Sequence, residues 1–214
     1  MDYRVERTQD FAPTGAGDHP AWSAAPWMAL TPHSGTGPLT RAKMLYSPTG
    51  VYALFDCEDK KLRCAHDRDF ADLYDEDVVE IFIRPDESQR SYFEYEVSPL
   101  GFELPIMVIN DGKRFFGWLP WKYAGDRKCR VATAVRGGAK RADAEVTGWS
   151  AEMFIPNALL LGLGNVPAQP GMRWRANLYR IDYDDPQRTI HWSWNPLPQA
   201  NFHLVDHMGT LVFA

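Results

Sequence analysis

The sequence predicts an all-β protein built as a two-sheet β-sandwich, and two observations predict it. Eight Trp, nine Tyr and eleven Phe occur beside sixteen Pro and sixteen Gly in 214 residues, a mixture typical of strands joined by turns. Short apolar or alternating runs also follow one another without the βα alternation of a Rossmann-like fold. The predicted strands cover residues 42–46, 51–57, 78–84, 92–98, 104–109, 130–135, 145–154, 174–183 and 210–213.

The remaining segments fit around these strands. Pro and Gly interrupt residues 1–40 repeatedly, which predicts an irregular N-terminal segment packed on the sandwich, while residues 41–214 form the sandwich itself. We expect a single domain overall. Residues 47–50 supply Pro and Gly for a hairpin turn. Residues 157–163 predict one short helix, because Pro156 suits a helix start and Gly164 a stop.

Composition limits the function classes. The net charge is −5 and no basic run occurs, so nucleic acid is not an expected partner. Because no apolar stretch is long enough to span a bilayer, we expect no membrane span. We also expect a monomer. Residues 1–11 lack the features of a signal peptide, so either the chain is cytoplasmic or a leader has been removed. The three cysteines lack zinc-ligand spacing, although a Cys57–Cys64 bridge stays open.

Polar residues stand in the middle of two predicted strands. Alternation in strand 78–84 places Val79, Ile81 and Ile83 on one face and Glu80 on the other. A mid-strand carboxylate is costly unless it is paired or faces a wet groove. Glu80 therefore either forms an ion pair with an arginine on a neighbouring strand or contacts a ligand.

The strand at 174–183 shows the same feature. Trp174, Ala176 and Leu178 point one way, and Arg175, Asn177 and Tyr179 point the other way. These three offer donors, acceptors and a ring, the mixture that sugar hydroxyls require. Arg180 interrupts the apolar face, and its alternative role is to pair with a strand glutamate. The candidate partners are Glu80, Glu94, Glu96 and Glu152.

Aromatic residues next to turns could supply the flat platform on which a pyranose rests. Tyr74 precedes the Glu80 strand, and Trp194 lies in the run from His191 to Pro196. Both have polar neighbours, whereas Trp149 and Trp174 lie in alternating strands and are expected in the core.

Several segments together resemble the family 9 carbohydrate-binding modules and their stand-alone bacterial relatives. They are residues 73–83, 92–101, 149–156 and 171–181, with similarity continuing in residues 192–196, 202–203 and 208–213. The resemblance extends from Trp22 to the C-terminus. It implies an immunoglobulin-like or jelly-roll sandwich that binds a mono- or oligosaccharide without catalysis, requires no cofactor and is extracellular or periplasmic.

The resemblance also implies roles for particular residues. Glu80 and Asn177 resemble the hydrogen-bonding pair of the family, Tyr74 occupies the place of an aromatic clamp residue, and Trp194 is our choice for the second clamp. Structural calcium occurs in the family. Hard cations favour clustered oxygen ligands, so the candidate metal ligands are Asp75 and Asp77 with Glu76, or the set Asp56, Glu58 and Asp59.

Other functions remain open at this point. Glu80 with Glu94, Glu96 or Glu152 could serve as the acid and base of a glycosidase, although glutamates beside arginines should be ionised. A related sandwich could hold b-type haem between a Met and a His, for which the chain offers Met107, His203, His207 and Met208. The third alternative is a ligand-free structural or interaction domain of the same fold.

Overall fold

A computed structural model describes residues 1–185 and 187–214. The strands are β1 (Asp2–Arg7), β2 (Met28–Ala29), β3 (Thr31–Pro32), β4 (Thr40–Tyr46), β5 (Gly50–Glu58), β6 (Val78–Arg84), β7 (Ser91–Val97), β8 (Glu103–Asn110), β9 (Phe115–Pro120), β10 (Arg130–Arg136), β11 (Gly148–Pro156), β12 (Arg173–Asp185), β13 (Arg188–Ser193) and β14 (Gly209–Phe213). The helical elements are α1 (Asn157–Leu160) and the 3₁₀ turns Pro20–Ala24, Leu73–Asp75, Gly125–Arg127, Leu161–Leu163 and Val205–His207.

Every predicted strand is present, with small shifts of its ends, and the short helix is confirmed. Gly164 follows the helix with a φ of 71°, a left-handed conformation that suits glycine. The hairpin turn is closed by Ser47 N–H, which donates to the Gly50 carbonyl oxygen at 2.8 Å. The sequence did not predict β1, β2, β3, β9 or β13. The first three lie in residues 1–40, where frequent Pro and Gly predicted an irregular segment, and β9 contains Gly117 and Pro120. In β13 only two apolar residues, Ile190 and Trp192, alternate with polar ones.

The strands form two sheets that share β1. The strand order is β10-β11-β5-β4-β1-β14-β12-β6-β7-β8-β9. Residues 2–5 of β1 run parallel to β14, whereas Glu6 and Arg7 run parallel to Leu45 and Tyr46 of β4. One strand therefore joins the sheet β10-β11-β5-β4 to the sheet β14-β12-β6-β7-β8-β9.

The main core lies between the two sheets. Val79, Ile81 and Ile83 of β6 belong to it, as the alternation predicted. Trp174, Ala176 and Leu178 of β12 point into the same core and pack with residues of β4, β5 and β11. The inner faces of both sheets are thus filled by apolar side chains, as a sandwich requires.

The N-terminal segment covers the outer face of the sheet that contains β5. Phe11 stacks on Tyr52 with 4.3 Å between ring centroids, and Trp22 lies edge-on to Phe11. The segment is packed on the sandwich, as predicted, and it also contributes β1. The three cysteines are buried and free, so no Cys57–Cys64 bridge forms.

The outer face of the other sheet carries a smaller apolar cluster. It includes Phe82, Tyr92 and Tyr179, and a covering segment, residues 194–208, packs over part of it through Phe202 and Met208. This segment leaves an open groove over β6, β7 and β8. In the described part of the chain, no helix is long and apolar enough to cross a membrane.

Candidate functional site

The groove has a volume of about 460 Å³ and combines acidic side chains with aromatic rings. Glu80, Glu94 and Glu96 line it from two adjacent strands. The ladder places Glu80 directly opposite Glu96, and Phe82 opposite Glu94. Because directly opposed residues share a face of the sheet, the three carboxyl groups belong to one patch.

These carboxyl groups are buried and largely without partners. Glu96 is 0% exposed, and neither of its side-chain oxygens accepts from a donor in residues 1–185 and 187–214. Its polar neighbour is the Glu94 carboxyl group, which is close enough to accept a hydrogen bond from a protonated Glu96. Oε2 of Glu94 is also unpartnered there. A buried acceptor without a donor is costly, so these oxygens are available to a ligand that donates hydrogen bonds.

Burial raises the pKa of all three carboxyl groups. Burial is the cause for Glu80, and the nearby Glu80 charge raises the pKa of Glu94 and Glu96 further. The arginine neighbours expected from the sequence are absent: none of the described residues that line the groove is Arg or Lys. The argument that these glutamates are ionised by ion pairing was therefore wrong.

Exposed rings flank the carboxyl groups. Tyr74, from the 3₁₀ turn before β6, and Trp118 of β9 both line the groove, and each is 39% exposed. Phe115, at the start of β9, contributes a third exposed ring. Rings that remain accessible beside polar groups can stack on the C–H face of a sugar.

The covering segment closes one side of the groove. His203 stacks on Phe82 at 5.5 Å between ring centroids, and its Nδ1 is hydrogen-bonded to the Tyr92 hydroxyl at 2.5 Å. Burial lowers the pKa of His203 to about 4. The imidazole is therefore neutral at pH 7, and its 3.9 Å contact with Glu94 is not an ion pair at that pH.

Of the residues predicted to bind sugar, only Tyr74 and Glu80 line the groove. Asn177 lies on the same face but is fully buried: its amide donates to the Asn195 carbonyl oxygen and accepts from the N–H groups of Asn195 and Leu178. The Tyr179 hydroxyl donates to the Phe202 carbonyl oxygen, and its ring is stacked under Phe202. Both side chains hold the covering segment on the sheet.

The other three predicted residues lie elsewhere. Arg175 is opposite Arg84 and Thr210 and donates to the Asp206 carbonyl oxygen, outside the groove. Trp194 is 4% exposed and packs edge-on against Tyr3 in the main core. The backbone N–H of Trp194 donates to the Leu178 carbonyl oxygen, which continues the pairing of β13 with β12 and holds the residue there.

Arg180 is 0% exposed and lies inside the sandwich. It pairs with Asp59 at 3.0 Å and with Asp182 at 2.6 Å, and its guanidinium also stacks on Trp192. Pairing with a strand glutamate was therefore the wrong expectation. Glu80, Glu94 and Glu96 lie on the opposite face of their sheet, where Arg180 cannot reach them.

Two residues of the alternative catalytic and haem sets, Glu152 and Met107, lie away from the groove. Glu152 lies on the other sheet, where it accepts from Gly15 N–H at 2.7 Å and from Trp22 Nε1–H at 2.6 Å. Met107 points into the main core, whereas His203 stacks on the outer face of the same sheet. Met107 and His203 therefore cannot ligate one haem.

Among the described residues, neither predicted set of metal ligands forms a cluster. Both oxygens of Asp77 accept backbone N–H groups, from Arg63 at 2.6 Å and Tyr183 at 2.8 Å, while Asp75 contacts His66 at 2.9 Å. A different set, Asp59, Asp182 and Asp184, brings its oxygens within 4.8 Å of one another. Arg180 already neutralises two of these three acids, so this set does not fit a divalent cation well.

Three groove residues could have been identified from the sequence. Glu94 and Glu96 occupy alternate positions of strand 92–98 and repeat the mid-strand feature of Glu80. We took them as ion-pair partners or as the acid and base of a glycosidase, and not as sugar-binding residues. Trp118 lies in an aromatic run, Phe115–Pro120, that Gly117 and Pro120 interrupt. Aromatic enrichment rather than alternation was the signal of β9.

Comparison with solved structures shows the fold. A Bacteroides uniformis protein matches with a TM-score of 0.78 and 17% identity over 100% of this chain and 99% of that chain. A family 9 carbohydrate-binding module from Caldicellulosiruptor kristjanssonii, in complex with cellotriose, matches with a TM-score of 0.69 and 14% identity over 100% and 93%. The complex of a family 9 module from that organism with glucose gives the same TM-score and identity, over 100% and 96%.

Comparison with curated protein sequences finds no match. The family model described as "Carbohydrate-binding family 9" matches residues 27–213, which include every strand of both sheets except β1. This match covers the groove as well as the main core, and the chain belongs to carbohydrate-binding family 9.

Proposed function

We propose that the chain binds a carbohydrate in the groove and does not act on it chemically. The observation that carries the proposal is a groove that combines the exposed rings of Tyr74 and Trp118 with buried carboxyl oxygens of Glu94 and Glu96 that no donor of the described chain reaches. Sugar hydroxyls would donate to the carboxyl groups, and the rings would contact the C–H face of the pyranose. Family membership and the cellotriose and glucose complexes of similar structures support this function.

The number of contacts sets the affinity that we expect. A few hydrogen bonds contribute about 1 kcal/mol each and two stacked rings about 1 kcal/mol each, which sum to roughly 4–7 kcal/mol. Dissociation constants between about 1 mM and 10 μM follow. Such a module works by tethering, and an extracellular or periplasmic location stays a prediction.

Isothermal titration calorimetry with glucose, cellotriose and glucosamine tests the proposal. Trp118→Ala should weaken binding at least about fivefold, because it removes roughly 1 kcal/mol of stacking. Phe116→Ala is the matched control: Phe116 is an exposed ring on the same strand that does not line the groove, and this variant should retain the affinity. Absence of binding to every sugar would reject the proposal.

A separate measurement tests the proposal that the protein does not act chemically on the sugar. Oligosaccharides incubated with the protein should be recovered unchanged by chromatography. Hydrolysis that disappears in Glu80→Gln would instead assign the buried carboxyl groups to a glycosidase, since a raised pKa is what a general acid needs.

A further inference from the structure

The groove has an unusual charge for a site that would hold a neutral sugar. Its described lining contains three glutamates and no Lys or Arg. Burial lowers the pKa of both lining histidines, His191 and His203, so neither supplies a positive charge at neutral pH. A ligand in this groove meets acidic groups and no protein cation.

Elsewhere the chain provides cations or donors for its buried acids. Arg180 reaches Asp59 and Asp182, and Glu152 accepts from backbone and indole N–H groups. Only at the groove, among the described strands, do neighbouring buried glutamates lack such partners. The missing positive charge is therefore a specific property of this site.

The hydrogen-bonding capacity of the groove also favours a cation. A groove carboxyl group that loses its proton when the ligand binds only accepts hydrogen bonds, and an ammonium group only donates them, with three N–H groups. Charge-assisted hydrogen bonds are about twice as strong as neutral ones. The exposed faces of Tyr74 and Trp118 add a second attraction, because aromatic rings attract cations that lie over them.

We propose that the groove selects a sugar with a free amino group, bound as its ammonium form between Glu80, Glu94 and Glu96, over the neutral and N-acetylated sugars. This inference rests on the proposed function and names its ligand class. The N-acetylated form lacks the positive charge, and an acidic sugar would be repelled.

The test compares three disaccharides of the same linkage by calorimetry near pH 6.5, where an amine is protonated. They are β-1,4-linked glucosamine, β-1,4-linked N-acetylglucosamine and cellobiose, measured with EDTA so that divalent cations do not contribute. The glucosamine disaccharide should bind at least tenfold more tightly than the other two. Equal affinity for cellobiose would overturn the inference and leave the proposed function intact, whereas no binding by any of the three would reject both.

Glutamate-to-glutamine variants test whether the carboxyl groups cause the preference for the amino sugar. Glu96→Gln should reduce the preference for the amino sugar at least fivefold, and Glu87→Gln, at an exposed acid in the β6–β7 turn, should leave it unchanged. A preference that survives in Glu96→Gln and in Glu94→Gln would overturn the assignment. Ethanolamine is the control for a bare amine, and if it binds as tightly as the amino sugar, the assignment to a sugar is wrong.

Proton release gives a readout that a neutral ligand would not share. The raised pKa values keep protons on the carboxyl groups of the free groove, and an ammonium ion should displace at least one of them. The binding heat should therefore depend on the ionisation enthalpy of the buffer. Other ionisable side chains face the carboxyl groups but do not change charge near neutral pH, because burial raises the pKa of the phenols and lowers the pKa of the imidazoles. They are Tyr74, Tyr92, Tyr179, Tyr183, His191 and His203. Asp72 adds a negative charge near Glu96.

Discussion

Buried acids of this protein divide according to whether a donor reaches them. Asp182 is paired with Arg180 at 2.6 Å, and Asp77 accepts two backbone N–H groups. Glu96 is as buried as these residues, but neither of its oxygens accepts from a donor in the described chain. Partners satisfy the first two acids within the fold, whereas Glu96 raises the free energy of the folded state and is available to a ligand.

Glu96→Gln is expected to stabilise the protein above about pH 5. Burial and the neighbouring glutamates raise the pKa of Glu96 in the folded state above its ordinary value of 4.5. The folded state then binds more protons than the unfolded state, so the free energy of unfolding falls as pH rises through this window. Each pKa unit corresponds to about 1.4 kcal/mol, and the variant should gain at least about 1 kcal/mol at pH 7.

Urea unfolding of the two proteins between pH 4 and 8 measures this difference. The gain should be near zero at pH 4, where the carboxyl group is protonated in both states, and should grow with pH. Glu87→Gln, at an exposed position, should show no such trend. A gain that stays constant across the range would mean that Glu96 is not held protonated by burial.

At the scale of the element, β9 links the edge of one sheet to the groove. Among the described strands it pairs with β8 alone, and a register shift lies between Ile109 and Asn110 in that pairing. Gly117 has a φ of 129°, a conformation that side chains rarely adopt, and it directly precedes Trp118. The backbone at Gly117 therefore controls how the Trp118 ring is presented.

Gly117→Ala should reduce the free energy of sugar binding more than it reduces the free energy of unfolding. An added Cβ meets no atom within 4 Å, so the cost comes from the backbone conformation and is about 1–3 kcal/mol. An edge strand can relieve this strain by local opening, which hydrogen exchange of the β9 amides would detect. Gly162→Ala, which has equal space and no left-handed φ, is the control and should leave both binding and exchange unchanged.

At the scale of the whole molecule, the two sheets depend on one strand. Residues 2–5 of β1 extend the groove-bearing sheet through β14, and Glu6 and Arg7 extend the other sheet through β4. Tyr3 and Val5 are buried in the main core, and the Tyr3 hydroxyl donates to the Pro26 carbonyl oxygen at 2.8 Å. The N-terminal strand thus closes the sandwich at the point where the sheets meet.

Removal of residues 1–7 should destabilise both sheets together. Loss of two buried side chains costs about 3–6 kcal/mol at about 1.5–3 kcal/mol each, so the urea midpoint should fall markedly in one cooperative transition. Arg4→Ala is the control, since the Arg4 side chain is 71% exposed and its ion pair is with Glu6 of the same strand. If the truncated protein unfolds at the same urea concentration as the full chain, β1 is not required to join the sheets.

Local pattern was sufficient to predict much of this fold. Alternation in 78–84 and 174–183 predicted which side chains face the main core, because successive residues of a strand point to opposite faces. Pro156 at the start and Gly164 at the end predicted the short helix. The family could be identified from motif order. Alternation failed at β9, where Gly117 and Pro120 interrupt the period. In β13 the alternating apolar residues are only two, Ile190 and Trp192, too few to indicate a strand.

The sequence by itself determined nine of the strands, the faces of their side chains and the family, and two of the predicted site residues, Glu80 and Tyr74, line the groove. Only the tertiary structure decided which side chains on the outer face of the sheet stay accessible to a ligand. Asn177 and Tyr179 share the face of Glu80, yet the covering segment, distant in sequence, binds them through Asn195 and Phe202. Alternation fixes the direction of a side chain relative to its sheet, whereas the atoms that cover it come from other parts of the chain.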